Sequence, residues 1–205
     1  MTVLHLGDDE NRFSPEWLQR VHSTLDEVGD VLVTTGGGKF YSNGLDLEWL
    51  TANGDKASEY VADVQELFAR VLTLPVPTVA AITGHAFGAG AMLAMAHDFR
   101  VMRSDRGYFC FPEADINIPF TPGMAALIQG KLTPASAIAA MTTARRFGGP
   151  EALSFGLVDE VAAEGDVVKV ASARVEALAG KDRGTLGAIK ATMFAPAVAA
   201  LRAPA

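Results

Sequence analysis

The chain has 205 residues, and about half of them are hydrophobic, which is enough for the core of one large domain. Its 24 acidic residues outnumber its 17 scattered basic residues, and a net charge of −7 argues against a nucleic-acid-binding surface. No apolar run reaches the roughly 18 to 20 residues of a membrane span, and the acidic N-terminus is unlike a signal peptide, so we expect a cytoplasmic globular protein without membrane contact.

The first part of the chain alternates strand and helix patterns. Val3 to Leu6 reads as a short strand, and Ser14-Pro15 is a cap and first-turn pair that opens a helix with one apolar face. Val31 to Thr35 is a buried strand that runs into a glycine loop, so these elements predict α/β layers. In Phe40 to Asp46, the Ser, Asn and Gly residues favour an irregular loop with positive-φ positions.

The middle of the chain repeats the order of helix then strand. An apolar helical face from Tyr60 to Leu72 ends before Pro75, and Thr78 to Thr83 reads as a buried strand. A glycine turn at Gly84 to Gly88 then leads into Ala89 to Ala96, a helix that is apolar on all sides. The turn lacks the Lys-Ser/Thr of a phosphate-binding loop and the spacing of a dinucleotide fingerprint.

The rest of the chain continues with short strands and small-residue helices. The predicted strands are Phe99 to Arg103, Gly107 to Phe111 and Leu157 to Val161. The predicted helices are near Met124 to Gln129, Pro134 to Thr143, Pro150 to Phe155, Asp166 to Leu178 and Thr185 to Phe194. The alanine-rich end, Ala195 to Ala205, is predicted to fray.

Two glycine turns expose backbone N–H groups, one around Asn43-Gly44-Leu45 and one around Gly88-Ala89-Gly90. The second turn precedes a helix, whose first N–H groups lack intrahelical acceptors and lie at the positive end of the helix dipole. Tight packing of backbone is one explanation of such turns. The other is that the two turns converge on one oxygen, which is the arrangement that stabilises a thioester enolate.

An enolate requires a base, and several titratable residues follow these turns. The candidates are Asp46, Asp98, Glu113 and Asp115, together with His85 and His97. Aromatic and aliphatic neighbours around Glu113 predict a desolvated carboxylate whose pKa is raised toward neutrality, although an exposed turn glutamate is the alternative. Asp46 and Asp98 fit better as residues that hold loops by accepting from backbone N–H groups.

The remaining chemistry-bearing residues favour structural roles. A single cysteine, Cys110, excludes an internal disulfide, and the four histidines are not clustered, so no metal is expected. Cys110 reads as a buried inert thiol, His85 as structural and His97 as a ligand of free helix-end carbonyls. The Arg145-Arg146 pair fits either a phosphate site or a solvated helix end.

At these residues the sequence resembles the enoyl-CoA hydratase/isomerase family, the crotonase superfamily. The similar segments, in the order and approximate spacing of the family, are KFYSNGLDL, GHAFGAGAMLAMAHD, RGYFCFPEADINIPFTPGM and ARRFGGPEALSFGLVDEV. The resemblance implies an α/β fold, a spiral of β-β-α turns over about residues 1–161 and a shortened C-terminal helical region over about 162–205. It also implies homotrimers or hexamers and an acyl-CoA thioester substrate, with no cofactor other than the CoA of the substrate.

Carried over by position, the resemblance assigns the oxyanion donors to the backbone N–H groups of Leu45 and Ala89. It places substrate contacts at Asn43, Gly44, Gly88, Gly90 and Met92. Hydratases of the family resemble one another in using two glutamates, and the two corresponding residues here are Met92 and Glu113. A lone Glu113 is what the resemblance associates with Δ3,Δ2-enoyl-CoA isomerases, which move a proton from C2 to C4.

Two other functions remain open at this point. One is a hydratase-like lyase in which Glu113 acts on water, helped by another acid such as Asp115. The other is a noncatalytic acyl-CoA-binding protein, because the chain is shorter than typical members in its C-terminal helices. The chain ends in Ala-Pro-Ala and not in a peroxisomal tripeptide, which agrees with the expected cytoplasmic location.

Overall fold

The computed structural model of the protein describes residues 1–204. The strands are β1 (Thr2–His5), β2 (Arg12–Phe13), β3 (Leu32–Thr35), β4 (Phe40–Ser42), β5 (Gly44–Leu45), β6 (Thr78–Ile82), β7 (His85–Phe87), β8 (Phe99–Arg103), β9 (Phe109–Cys110) and β10 (Glu160–Ala162). The α-helices are α1 (Pro15–Asp26), α2 (Leu47–Ala52), α3 (Ala57–Leu72), α4 (Ala89–Ala96), α5 (Glu113–Ile116), α6 (Pro122–Lys131), α7 (Pro134–Thr142), α8 (Gly149–Ser154), α9 (Val167–Glu176), α10 (Arg183–Met193) and α11 (Ala195–Leu201).

Most successive strands of the chain alternate between two parallel sheets, and β2 and β5 form a separate two-stranded parallel sheet. Within the described residues, the larger sheet has the order β1-β3-β6-β8-β10 and the smaller sheet has the order β4-β7-β9. Strands β3, β6 and β8 of the larger sheet are each followed by one strand of the smaller sheet, and a helix then returns the chain. The spiral of β-β-α turns predicted from the resemblance is therefore confirmed.

The larger sheet is covered on both faces, because neighbouring residues of a strand point to opposite sides. On β6, Ala80 and Ile82 belong to the main core with α3 and α4, whereas Val79 and Ala81 face α9. Every residue of α4 is buried, which agrees with the prediction of a helix that is apolar on all sides. The core therefore holds α4, and the glycine turn before it, in one position.

Two aspartates hold chain turns, as predicted. Asp46 caps α2 by accepting from the Trp49 N–H at 3.0 Å. Asp98 Oδ2 accepts from the Thr78 N–H at 2.8 Å, so it ties the end of α4 to the start of β6. Their carboxylates are occupied by these contacts.

Two segments predicted as irregular turns contain short strands, so those predictions are wrong in part. The segment from Phe40 to Asp46 holds β4 and β5, and the glycine turn holds β7. These strands have two or three residues and pair with chain distant in sequence, and so they lack a periodic sequence signal. The positive φ expected in the first segment is present at Gly44, where it is +84°.

The prediction that the alanine-rich end frays is also wrong for Ala195–Leu201, while Ala205 lies outside the described residues. This segment is the helix α11, which packs on α6 and α3 with Ala197 and Leu201 buried. Gly123 of α6 permits the contact, since a β-carbon there would lie 2.6 Å from the Leu201 Cα.

In residues 1–204 no single helix is long and apolar enough to cross a membrane. Helices α10 and α11 reach that length only together, and they are bent by 75° relative to each other.

Candidate active site

The structure brings the two glycine turns into backbone contact. A β-carbon built on Gly44 would lie 2.8 Å from the Ala89 nitrogen and 2.8 Å from the Phe87 oxygen. A β-carbon on Gly90 would lie 2.4 Å from the Ser42 oxygen. Real β-carbons do not make contacts this short, so both positions require glycine. The residues before Leu45 therefore lie directly against the first turn of α4.

The second turn presents a free backbone donor. Gly88 is the N-cap of α4 with a φ of +51°, and Ala89 is the first helical residue. Among the described residues, the Ala89 N–H has no acceptor, as expected for the first N–H groups of a helix. The positive end of the helix dipole adds to the attraction of this donor for an oxyanion.

A serine hydroxyl holds the first turn in shape. Ser42 is fully buried, and its Oγ donates to the Asn11 oxygen at 2.7 Å. Ser42 Oγ also accepts from the Gly44 N–H at 3.1 Å. The sequence indicates only a loop-forming role for Ser42, because its partner Asn11 is remote in the chain.

A tyrosine holds the other end of the same turn. Tyr60 Oη donates to the Phe13 oxygen at 2.8 Å and accepts from the Asp46 N–H at 2.9 Å. Tyr60 thus connects α3 to β2 and to Asp46, the residue that directly follows Leu45 of β5. Its sequence position on the apolar face of a helix gave no sign of this role.

The hydrogen bonds of Asn43 are with Glu10 and not with the second turn. Its N–H donates to the Glu10 oxygen at 2.8 Å, and its Nδ2 donates to Glu10 Oε2 at 3.2 Å. Asn43 therefore anchors the first turn to the segment before β2. Its predicted contact with substrate stays a prediction.

Glu113 lies beside the second turn. It begins α5 directly after the smaller sheet, and it is only 8% exposed. A β-carbon on Gly88 would lie 3.5 Å from Glu113 Oε1, so the carboxylate is next to the residue that precedes Ala89. Its Oε2 is buried and has no hydrogen-bond partner in residues 1–204.

Burial raises the pKa of Glu113 to about 7, and a contact with its own backbone N–H opposes this rise. Phe109 and Phe111, which shortly precede Glu113 in sequence, are both buried. Their rings are in edge-to-face contact at 5.6 Å, and Phe111 also packs against Phe120. Ile116, an aliphatic residue close to Glu113 in sequence, is 45% exposed and so, contrary to the sequence prediction, does not contribute to this burial. The exposed-glutamate alternative is therefore wrong, and a carboxyl group with this pKa can both accept and return a proton near neutral pH.

The position of a second acid is occupied by an apolar side chain. Met92 lies in the first turn of α4 and is 1% exposed, and its N–H donates to the Gly88 oxygen. Asp115 is two residues beyond Glu113 but is exposed to solvent. Within residues 1–204, Glu113 is thus the only buried acidic residue, and it lies next to the glycine turns.

The histidines near the turns have structural contacts. His85 Nδ1 accepts from the Tyr108 N–H at 3.2 Å, and the ring stacks on the Tyr108 ring. His97 is fully buried, with Nδ1 2.8 Å from the Leu93 oxygen and Nε2 3.0 Å from Thr34 Oγ1. Burial lowers the pKa of His97 to about 3, so its ring stays neutral and cannot act as an acid near pH 7.

Cys110 and the Arg145-Arg146 pair have contacts within the protein. Cys110 is buried, its Sγ lies 3.3 Å from the Ala144 oxygen, and burial raises its pKa to about 11, as expected for an inert thiol. Arg145 pairs with Glu151 and lies over the Phe147 ring. Both arginines are exposed, as the solvated alternative predicted, but they lie in the loop between α7 and α8 and not within a helix. The phosphate alternative stays a prediction.

The residues in 1–204 contain no group of three or more His, Cys, Asp or Glu side chains that could hold a metal ion. A cavity of about 670 Å³ is lined by Trp49, Tyr60 and other residues of α1 to α3. Leu45, Ala89 and Glu113 do not line it. The candidate site is thus defined by its donors and its carboxylate, and not by the size of a cavity.

A sequence profile described as Enoyl-CoA hydratase/isomerase matches residues 10–203. The chain belongs to this family. Enoyl-CoA delta isomerase 3 of Arabidopsis thaliana is 39% identical over 191 residues, which are 85% of this chain and 79% of that protein. The predicted family, and the likeness to its isomerase members, are therefore confirmed.

Solved structures of family members share the fold. A probable enoyl-CoA hydratase of Mycobacterium tuberculosis H37Rv superposes with a TM-score of 0.90 at 31% identity, covering 98% of this chain and 88% of that chain. The human mitochondrial delta3-delta2-enoyl-CoA isomerase has a TM-score of 0.85 at 23% identity, covering 92% of this chain and 76% of that chain. At 23% identity, the comparison with the human protein shows a shared fold and nothing further.

Proposed function

We propose that this protein is an acyl-CoA isomerase that moves a double bond from C3 to C2 of an enoyl-CoA through a thioester enolate. The observation that carries the proposal is the position of Glu113, a buried carboxyl group beside the glycine turn that opens α4, whose Oε2 has no hydrogen-bond partner in residues 1–204. The 39% identity to an Arabidopsis thaliana protein named an enoyl-CoA delta isomerase supports the same activity.

The thioester oxygen is bound by the N–H groups of Leu45 and Ala89. The contact between Gly44 and Ala89 supports this pairing, because it brings the two turns within reach of one oxygen. Negative charge develops on that oxygen when a proton leaves C2, and so both donors bind the enolate more strongly than the substrate. Removal of one oxyanion donor in other enzymes costs about 3 to 4 kcal/mol of transition-state stabilisation.

Glu113 is the proton carrier. Its carboxylate takes a proton from C2, the electron pair passes through the enolate to C4, and the carboxyl group returns the proton there. The double bond between C3 and C4 is lost and one between C2 and C3 forms, with no change in composition. A pKa of about 7 keeps the two forms of Glu113 close in free energy, which suits a group that must do both steps.

Met92 favours isomerisation over hydration. Addition of water requires a group to orient and deprotonate it as well as a group to protonate C2. By the resemblance, hydratases have a second glutamate where this chain has Met92, and a buried thioether neither activates nor holds water. A hydratase-like lyase is nevertheless the second candidate, because a Mycobacterium avium protein that is 33% identical over 189 residues is named a probable enoyl-CoA hydratase.

The deciding experiment compares two substrates and three proteins. Trans-3-hexenoyl-CoA and crotonyl-CoA are incubated with the wild type, with Glu113→Gln, and with Glu176→Gln as a control at an exposed glutamate of α9. The gain in absorbance of the conjugated 2-enoyl thioester measures isomerisation of hexenoyl-CoA, and a mass increase of one water measures hydration of crotonyl-CoA. We expect isomerisation by the wild type and the control, and a loss of at least a thousandfold in Glu113→Gln.

The other outcomes discriminate between the candidates. Faster hydration of crotonyl-CoA than isomerisation of hexenoyl-CoA would overturn the proposal in favour of the lyase. Binding of hexenoyl-CoA without turnover of either substrate would favour a noncatalytic acyl-CoA-binding protein. Full isomerase activity in folded Glu113→Gln would show that the protein is an isomerase in which Glu113 does not carry the proton.

A further inference from the structure

A second cavity, of about 260 Å³, lies between the end of α6, the loop before α10, and α10 itself. It is separate from the candidate active site, since Leu45, Ala89 and Glu113 are not among its lining residues. Much of its wall is apolar, with side chains that include Phe99, Leu186, Ile189, Met193 and Phe194. Three lysines and a single aspartate complete the lining, so the cavity combines an apolar wall with an excess of positive charge.

One lysine of the cavity is neutralised by the protein. Lys190 Nζ donates to Asp98 Oδ2 at 2.6 Å and to the Val76 oxygen at 2.7 Å, and its side chain is 5% exposed. The neighbouring aspartate, Asp159, is also engaged, by Arg100 at 2.8 Å. Both acids of this region therefore already have a cationic partner.

The other two lysines of the cavity have no carboxylate partner within the part of the chain that the structure describes. Lys131 Nζ donates to the His97 oxygen at 2.8 Å and lies 5.0 Å from the centre of the Phe194 ring. It forms no ion pair, and neither does Lys181. Burial lowers the pKa of Lys131 to about 8, and so most molecules still carry the charge at pH 7. Lys131 is partly buried, so its charge is partly desolvated without an ionic partner, and an anion in the cavity would reduce that cost.

We propose that this cavity binds a medium-chain aliphatic carboxylate, with its carboxylate on Lys131 and its chain against the apolar wall. The charge excess selects an anion, and the apolar wall selects an anion with a hydrocarbon tail. The volume lies just below the roughly 300 to 1,000 Å³ of sites for drug-sized ligands, so a chain of modest length fits. The proposal is independent of the isomerase reaction, because no residue of that reaction lines the cavity.

The binding experiment uses a series of free carboxylates and one uncharged analogue. Hexanoate, octanoate, decanoate and 1-octanol are titrated into the full chain at pH 7 and followed by the ¹³C-labelled methyl signals of its methionines. Met193 lines the cavity, and its signal is identified with Met193→Leu, whereas Met92 reports on the candidate active site. We expect octanoate to shift the Met193 signal and to bind at least tenfold more tightly than octanol. Each added methylene should tighten binding about fourfold until the cavity is full.

The charge is tested by substitution of Lys131. Lys131→Met keeps the apolar stem and removes the ammonium group, and Lys169→Met is the matched change at an exposed lysine of α9. We expect the first to lose octanoate binding at least tenfold and the second to bind like the wild type. Because Lys131→Met also removes a hydrogen bond to the His97 oxygen, Lys131→Arg serves as a charge-retaining variant that should bind within about threefold of the wild type.

Three results would overturn the proposal. They are equal binding of octanol and octanoate, full octanoate binding by folded Lys131→Met, and shifts confined to the Met92 signal. The last result would place the carboxylate in the candidate active site, whether or not that site isomerises enoyl-CoA.

Discussion

Gly44 lies in backbone contact with Ala89, at a distance that leaves no room for a side chain between the two turns. We expect Gly44→Ala to separate the turns, because its β-carbon would lie 2.8 Å from the Ala89 nitrogen and its φ of +84° disfavours alanine. The expected loss in kcat/KM for a 3-enoyl-CoA is about 100-fold to 1,000-fold.

The matched control is Gly130→Ala, at a position where a β-carbon meets nothing within 4 Å. It should keep the activity of the wild type. Circular dichroism and the melting temperature establish that Gly44→Ala folds, and wild-type turnover by the folded variant would contradict the convergence of the turns.

The ionisation of Glu113 predicts a pH dependence of the rate. Because its pKa is about 7 and the carboxylate is the form that removes a proton, kcat/KM should rise as the pH increases through 7 and then level off. The measurement is kcat/KM between pH 5.5 and 9 with a 3-enoyl pantetheine thioester, which lacks the titrating phosphates of CoA. A profile that is flat through pH 7 would contradict a raised pKa.

The same carboxyl group predicts a pH dependence of stability. Its folded-state pKa lies above the ordinary value of 4.5, so the stability from this group is fully present below pH 4.5 and is lost as the pH rises through 7. Glu113→Gln does not titrate, and so its free energy of unfolding should gain about 2 kcal/mol relative to the wild type between pH 5 and pH 8. Urea unfolding at both pH values measures the difference, and a difference that does not change with pH speaks against the assignment.

The two hydrogen bonds of the Tyr60 hydroxyl predict that this residue positions the first turn. Tyr60→Phe removes the hydroxyl that contacts the Phe13 oxygen and the Asp46 N–H. We expect a loss of about 1 to 2 kcal/mol in the free energy of unfolding and about a tenfold lower kcat, because the turn next to Leu45 loses its tether. Tyr108→Phe is the control, since Tyr108 is 42% exposed and should change neither quantity. An unchanged kcat in Tyr60→Phe would show that the tether is structural only.

The apolar side chain at position 92 predicts that a carboxylate placed there would shift the activity from isomerisation toward hydration. Met92→Glu restores an acid at the position that the resemblance associates with hydratases, so hydration of crotonyl-CoA should rise at least tenfold while isomerisation falls. Met92→Gln has a similar shape without a charge and should gain no hydration. The decrease in enoyl-thioester absorbance measures hydration, and a folded Met92→Glu with only wild-type hydration would refute the role given to this position.

The sequence predicted the order of most elements, because helices such as Tyr60 to Leu72 and strands such as Thr78 to Thr83 have strong apolar patterns and clear end signals. It missed the short strands β4, β5 and β7, since they are too short for a periodic pattern and form through parallel pairing with distant chain. It also predicted a frayed end where α11 packs on α6, because alanine-rich composition does not reveal a docking surface.

The motifs around Gly44, Ala89 and Glu113 were sufficient to predict the family and the chemistry of a thioester enolate. Their residue types alone did not establish whether Glu113 is solvated or whether the two turns meet. Those properties were decided by the tertiary structure, which buries the carboxylate and brings chain segments more than 40 residues apart into contact. The physical reason is that donor geometry and desolvation depend on the packing of remote segments, whereas turn residues and apolar periodicity are local.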